Sequence, residues 1–190
     1  MKYFLDTEFI ESLRNVNGKS LHVVELISIG IVCEDGRELY AISNEFDHTE
    51  ANEFVRENVL SLEFNKHYVD RGNYDLNCMQ LKTNHGMPIS AIKRKIINFM
   101  QPEQDKNLQV YGYFADYDWV VFASIFGTMM DLPKGMPFFC MDLKQMMQER
   151  GLNSEWKREN CPDPVGEHHA LVDAMWNKDL YERITNYRLK

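Results

Sequence analysis

Long apolar runs are missing from the sequence, and none of its hydrophobic stretches approaches the roughly 20 residues that a membrane helix requires. We therefore expect no membrane partner. A basic and then apolar leader is also missing, because the first residues already have the pattern of a strand, so no secretory signal is expected. Cysteine is scarce, and no CxxC pair occurs among Cys33, Cys78, Cys140 and Cys161. These spacings predict free thiols in a reducing cytoplasm rather than a zinc site.

Positive charge is in short supply, since 21 Lys and Arg residues face 29 Asp and Glu residues for a formal net charge of −8. This balance argues against a broad basic surface that grips nucleic acid. It does not exclude an enzyme that acts on nucleic acid, because acids gathered in one site bind cations, and the cations make the local field positive where a phosphate lands. Such an enzyme is expected to hold its polymer weakly outside the site.

The first part of the chain has the pattern of three consecutive strands. Residues 2–9 and 23–33 are apolar, strand-like runs, and residues 38–43 alternate as a returning strand after the turn signal Asp35-Gly36. These patterns predict an antiparallel meander, with residues 11–21 as a loop or hairpin connection.

The rest of the chain alternates helical and strand-like patterns, and its total length predicts a single domain at residues 1–190. Helices are expected at residues 51–60, 90–100 with Ser90 as cap, 117–126, 143–150 and from about 169 onward, and strands at 108–113 and 136–141. Residues 63–88 have no persistent period. The sequence therefore predicts an α/β fold with a mixed five-stranded sheet that contains the meander and is flanked by helices.

Two carboxylates lie at the end of the first strand. Asp6 and Glu8 are separated by one residue, so both point to the same face of a strand. Two acids in a low-dielectric site cannot both stay ionised without a countercharge, and a divalent cation such as Mg²⁺ supplies one. For an Asp-x-Glu pair taken alone, the commoner explanation is one solvated acid and one helix cap. The metal interpretation needs further acids from distant parts of the chain.

A second acidic segment follows the strand at residues 108–113. Asp116 and Asp118 both lie where the next helix opens, and an Asp at a helix start is favourable for capping and for the helix dipole alone. Either residue could therefore be structural or could contribute to a metal site.

The third segment contains His168, His169 and Asp173. Five residues of α-helix rotate by about 140° beyond a full turn, so His168 and Asp173 would not share a face of one helix. If both serve one site, His168 must lie on the loop before the helix, where it could act as a general base. A surface histidine at a helix start is the simpler alternative, and spacing does not distinguish His168 from His169.

Taken together and in order, these segments resemble the three motifs of the DEDDh exonuclease superfamily, also called DnaQ-like, which has the ribonuclease-H-like fold. The matching stretches are Asp6-Thr7-Glu8, Tyr117-Asp118-Trp119 and His168-His169-Ala170-Leu171-Val172-Asp173-Ala174. Similarity to the polyadenylate-specific 3′-exoribonuclease AS family covers most of the chain, through residues 6–11, 25–30, 36–41 and 54–59. Phe54 departs from the Trp often found in that family, and residues 63–88 match nothing in it.

The resemblance implies roles for individual residues. Asp6, Glu8 and Asp173 would hold one of two Mg²⁺ or Mn²⁺ ions, and Asp6 would bridge to the second, which Asp118 helps to hold. His168 would take the proton from the attacking water, which selects it over His169 by its position in the motif. Asp118 is selected over Asp116 because it directly follows an aromatic residue.

The implied activity is a metal-dependent 3′–5′ exonuclease that hydrolyses single-stranded 3′ ends, of RNA rather than DNA, to nucleoside 5′-monophosphates. We expect substrate binding through the backbone of Thr7 and through stacking on Phe9, although Phe9 could equally be a core residue. Three alternatives stay open: an RNA-binding module without turnover, a DNA-directed exonuclease, and a ribonuclease-H-type endonuclease. Relatives are often dimers, so a homodimer is a further expectation.

Overall fold

Two long antiparallel strands lie at the centre of the sheet in the computed structural model, which describes residues 1–67 and 73–187. Strand β1 (Lys2–Val16) and strand β2 (Lys19–Cys33) are joined by a two-residue turn. The turn residues Asn17 and Gly18 have φ angles of 53° and 78°, the left-handed values that a type I′ hairpin turn requires. Of the two alternatives expected for residues 11–21, the hairpin connection is confirmed and the loop is wrong, since only Asn17 and Gly18 lie outside the two strands. The pairing between β1 and β2 continues as far as the turn. The outer part of this hairpin, the β1–β2 ribbon, is largely exposed, so its strands show no regular spacing of apolar residues in the sequence.

The sheet has six strands instead of the expected five. Strand β3 (Glu38–Ser43) pairs antiparallel with β2, which confirms the meander. Three short strands, β4 (Gly86–Met87), β5 (Gln109–Gly112) and β6 (Met141–Asp142), add parallel pairs and give the order β4-β3-β2-β1-β5-β6. The mixed α/β sheet is thus confirmed, whereas the strand count is wrong because two-residue β4 is too short to show a period. The strand expected at residues 136–141 shrinks to β6, since only Met141 and Asp142 pair with β5.

Seven α-helices are described within residues 1–67 and 73–187. They are α1 (Ser61–Lys66), α2 (Tyr74–Asn84), α3 (Ile89–Met100), α4 (Asp116–Ser124), α5 (Leu143–Glu149), α6 (Ser154–Asn160) and α7 (Ala170–Asn186). Ser90 lies inside α3, whose cap residue is Pro88, so the expected Ser90 cap is wrong. The helix expected at residues 51–60 is a π-helical segment, Val55–Leu60, that continues into α1. Helices α2 and α6 were not expected, and part of the unreadable stretch 63–88, residues 68–72, lies outside the described residues.

Helices cover both faces of the sheet, and the first part of β1, residues 3–5, is buried on both sides. Tyr3 and Leu5 pack in one cluster with residues of α3 and α4, whereas Phe4 packs in another with residues of α5 and α7. Because side chains alternate along a strand, Asp6 and Glu8 follow Phe4 toward α7, and Thr7 follows Leu5 toward α4. No helix in the described ranges is long and apolar enough to cross a membrane.

The start of α7 lies directly on the middle of the sheet. Gly30 of β2 pairs with Asp6 of β1, and a Cβ atom at Gly30 would lie 2.2 Å from the carbonyl oxygen of Ala170. A glycine is therefore required for this close approach. It brings the first turn of α7, including Asp173, next to the acids of β1.

Candidate active site

Three carboxylates from two elements converge where α7 begins. Asp6 and Glu8 of β1 and Asp173 of α7 each offer an oxygen atom, and these atoms all lie within 4.8 Å of one another. Such a set of hard oxygen donors is what Mg²⁺ or Mn²⁺ binds. The predicted convergence of the first and third segments is therefore present in the structure.

Asp173 is oriented by the loop that precedes its own helix. Its Oδ2 atom accepts a hydrogen bond of 2.8 Å from the backbone N–H of His168. The carboxylate also lies in the first turn of α7, where the helix dipole favours a negative charge.

Asp118 is held in the site by a residue of β1. Thr7 donates to Asp118 Oδ1 from its backbone N–H at 2.8 Å and from its hydroxyl at 2.5 Å. The Asp118 side chain is buried, with 8% of its surface exposed, and it lines the same cleft as the other acids. Asp116, two residues earlier on α4, is exposed and does not line the cleft. The structure therefore brings Asp118, and not Asp116, to the site.

The four carboxyl groups have raised pKa values because burial penalises their ionised forms. Burial, followed by the charges of Asp118, Glu8 and Asp173, raises the pKa of Asp6 well above its usual value. Burial and the charges of Asp173 and Asp118 raise the pKa of Glu8 to about 9. Burial also raises the pKa of Asp118 and of Asp173 to about 6, against the opposing hydrogen bonds from Thr7 and from the His168 backbone. A bound cation would relieve this repulsion, so the donor set fits a divalent metal.

The acids lie in a cleft of about 560 Å³ that also has aromatic walls. The aromatic residues that line it are Phe9, Tyr113, Phe114, Tyr117 and Trp176. Lys157 also lines the cleft. Its ammonium group lies 5.0 Å from the centroid of the Trp176 ring and forms an ion pair with Asp163. The cleft thus combines an acidic floor with rings on which bases could stack.

His168 and His169 occupy different environments. Helix α7 begins at Ala170, so His168 lies on the preceding loop, the position expected if it serves one site with Asp173. The half-buried His168 lines the cleft, and the ring of Phe54 approaches it edge-on with 5.0 Å between centroids. His169 is buried and stacks on Tyr40, with 4.7 Å between centroids. Its position as the capping residue of α7 is structural.

The two predicted substrate-binding residues are both at the cleft, in different capacities. Phe9 lines it while packing against the core, and it stacks on Tyr117 with 5.8 Å between centroids. Phe9 is therefore partly a core residue and is also reached from the cleft, whereas the stacking of a base on it stays a prediction. Both donors of Thr7 are occupied by Asp118, so neither the N–H nor the hydroxyl is free for a substrate.

Sequence reasoning missed several residues of the site. Asn177 lines the cleft and ties α7 to β1, because its side-chain amide donates to the Leu5 carbonyl at 2.9 Å. Its spacing of four residues from Asp173 places it on the same helix face, which could have identified it. Lys157 and Phe114 are far in sequence from one another, and no local pattern marks either as part of the cleft.

Comparison with known proteins shows one consistent similarity. The model of the family described as the 3′-5′ exoribonuclease Rv2179c-like domain matches residues 1–185. The chain is 34% identical over 186 residues to the 3′-5′ exoribonuclease Rv2179c of Mycobacterium tuberculosis strain H37Rv, covering 98% of this chain and 94% of that protein. The 3′-5′ exoribonuclease MT2234.1 of strain CDC 1551 is similar to the same extent.

Proposed function

The chain belongs to the family of the Rv2179c-like 3′-5′ exoribonuclease domain and is an enzyme of that type, and from this premise we propose how it acts. It hydrolyses single-stranded RNA from the 3′ end and releases nucleoside 5′-monophosphates with the help of two divalent cations. The observation that carries this proposal is the convergence of oxygen atoms from Asp6, Glu8 and Asp173 within 4.8 Å of one another.

Four acids would hold the metal ions. Asp6, Glu8 and Asp173 would bind one Mg²⁺ or Mn²⁺, and Asp6 would share a second ion with Asp118. Thr7 orients Asp118 by binding only its Oδ1 atom. When bound, the ions polarise the phosphodiester and lower the pKa of the attacking water. Because burial and, after it, the charges of Asp173 and Asp118 raise the pKa of Glu8, ionisation of the acids and metal binding are coupled.

His168 would act as the general base. It lies on the cleft wall, and its backbone N–H is anchored to Asp173, so its position depends on the same acid that would bind the metal. Phe54 packs nearly perpendicular to the imidazole ring and limits its orientations. The imidazole would accept a proton from the attacking water as the water oxygen bonds to phosphorus. The bond from phosphorus to the 3′ oxygen of the penultimate nucleotide would break, and that oxygen would take up a proton from solvent.

The finer family assignment rests on motif order and topology. The DEDDh motifs of the DnaQ-like exonucleases and the ribonuclease-H-like fold are supported by an antiparallel meander extended by parallel strands, with acids from β1, α4 and α7 at one cleft. Closer kinship to the AS family rests on the stretches near residues 6–11 and 54–59.

The four described cysteines are free thiols, which fits a protein of the reducing cytoplasm. A homodimer stays a prediction that sedimentation velocity would test.

The complete acid set argues for turnover over an RNA-binding module. Isothermal titration with Mn²⁺ separates an enzyme from a binding module, because RNA binding without any uptake of metal would contradict the proposal.

Matched ribo- and deoxyribo-oligonucleotides test the preference for RNA over DNA, since only the 2′-OH groups differ. Products from a circular substrate test the endonuclease alternative, because an exonuclease leaves a circle intact.

The direction of attack is tested with one single-stranded RNA labelled at either end. Digestion with Mn²⁺ should release the 3′ label at once as a mononucleotide and shorten the 5′-labelled strand progressively. Asp118→Asn should abolish this activity with an unchanged circular-dichroism spectrum, whereas Asp116→Asn, a matched change at an exposed position of the same helix, should not. Release of the 5′ label first, or full activity of Asp118→Asn, would contradict the proposal.

A further inference from the structure

Phe114 combines two unfavourable properties at one position of the cleft. It lies between β5 and α4 with a φ angle of 55°, a left-handed conformation that bulky side chains rarely adopt. Its ring is 62% exposed, although burial would be favourable for an aromatic side chain. Gly or Asn would satisfy the backbone better, so the fold alone does not account for a phenylalanine here.

The turn that carries Phe114 is held rigidly from both sides. The backbone N–H of Ala115 donates to Asp142 Oδ2 at 2.8 Å, and Asp142 Oδ1 accepts at 2.7 Å from Gln145 at the start of α5. On the other side, a Cβ atom at Gly112 would lie 2.8 Å from the Ala115 side chain, so the turn is tight. These contacts hold the apex residue, Phe114, in the left-handed conformation, and its side chain lines the cleft.

The surroundings of the ring suit a nucleobase. Tyr113 packs edge-on against Phe114, with 4.6 Å between centroids, and fixes the ring orientation. The ammonium group of Lys144 lies over the Phe114 ring, 6.0 Å from its centroid, and gives this part of the surface a positive charge that favours a phosphate chain nearby. Because the Phe114 ring is highly exposed, it lies at the rim of the cleft. Phe9 and Tyr117, by contrast, are directly next in sequence to Glu8 and Asp118, two of the acids that would bind metal.

We propose that Phe114 is a stacking platform for a base of the RNA strand upstream of the nucleotide being removed. This inference rests on the proposed function, because it assumes a single strand whose 3′ end lies at the acids. Stacking on an aromatic ring tolerates any base, as an enzyme that removes successive nucleotides requires. This role accounts for both the exposed ring and the strained backbone of Phe114, because the contact with a bound base offsets the free-energy cost of both.

The test compares a polymer with a substrate that has no upstream base. Phe114→Asn removes the ring and suits the left-handed backbone, because Asn is enriched there. We expect the ratio of kcat/KM for a short oligoribonucleotide to kcat/KM for the p-nitrophenyl ester of a nucleoside 5′-monophosphate to fall about tenfold, mainly through KM. The melting temperature should not fall, which separates loss of binding from loss of folding.

Two comparisons make the result decisive. Phe139→Asn is the matched control, since Phe139 is 60% exposed but lines a different surface pocket. Phe114→Tyr should keep the wild-type ratio of the two kcat/KM values. Phe114→Leu is a second variant without the ring, for use if Phe114→Asn folds poorly, and its ratio should fall as well. A ratio within twofold of wild type for both ring-deleting variants would overturn the stacking role alone. Wild-type protein without metal-dependent activity on either substrate would instead overturn the proposed function.

Discussion

Replacing Glu8 by Gln should stabilise the metal-free protein while abolishing its activity. Burial and the charges of Asp173 and Asp118 raise the pKa of Glu8 from 4.5 to about 9. A carboxyl group whose pKa is higher in the folded state stabilises the fold fully below pH 4.5 and loses that contribution as the pH rises toward 9. Gln has a similar shape and carries no charge at any pH, so it avoids this loss.

The size of the effect follows from the shift. At about 1.4 kcal/mol per pH unit, the loss between the two pKa values reaches about 5 kcal/mol at pH 8 as an upper limit. Partial exposure of Glu8 and sharing of protons among the neighbouring acids reduce this to about 2 kcal/mol. For a chain of this length, that corresponds to a melting temperature about 4–8 °C higher for Glu8→Gln.

Thermal unfolding in the presence of a chelator, measured from about pH 4.5 to pH 8.5, checks this expectation. The difference between Glu8→Gln and wild type should be near zero at the acid end and grow with pH, and added Mn²⁺ should stabilise wild type far more than the variant. Glu159→Gln, at an exposed position of α6, is the control and should show no such growth. A Glu8→Gln protein that is less stable than wild type at pH 8, or a difference independent of pH, would refute the reasoning.

Three further outcomes follow from the same geometry. Gly30→Ala should cost at least about 2 kcal/mol of unfolding free energy and most activity, because the new Cβ atom collides with the Ala170 carbonyl, and denaturant titration checks this. Thr7→Val keeps the backbone hydrogen bond to Asp118 but loses the hydroxyl, so single-turnover rates should fall about tenfold, whereas Thr7→Ser should stay close to wild type. Mn²⁺ binding at pH 7 should release protons from Glu8, so its calorimetric heat should vary with the ionisation enthalpy of the buffer, and buffer-independent heat would contradict the raised pKa.

Local pattern was sufficient for much of the fold. The apolar runs and the Asp35-Gly36 turn signal predicted the antiparallel meander, and the helices near residues 90–100 and 143–150 were close to their observed bounds. These features succeed because a helix or strand that buries one face must repeat apolar residues at its own period. The failures have the opposite cause, since the β1–β2 ribbon and the two-residue strands bury too little to leave a period.

Tertiary contacts decided the details of the site. The strand period determined that Asp6 and Glu8 share a face, and helical phase required His168 to precede the helix of Asp173 if both residues serve one site. No local rule could show that Gly30 lets α7 approach the sheet, because that contact joins positions far apart in sequence. The same holds for the hydrogen bonds from Thr7 that orient Asp118.

The sequence by itself therefore determined which residue types could serve a metal-dependent nuclease and on which elements they lie, because periodicity and motif order are properties of the chain. Only the tertiary structure decided which of them meet, which donors are already occupied, and that Phe114 presents an exposed ring to the cleft. Distances between residues remote in sequence depend on how layers pack, and packing involves contacts from many elements at once.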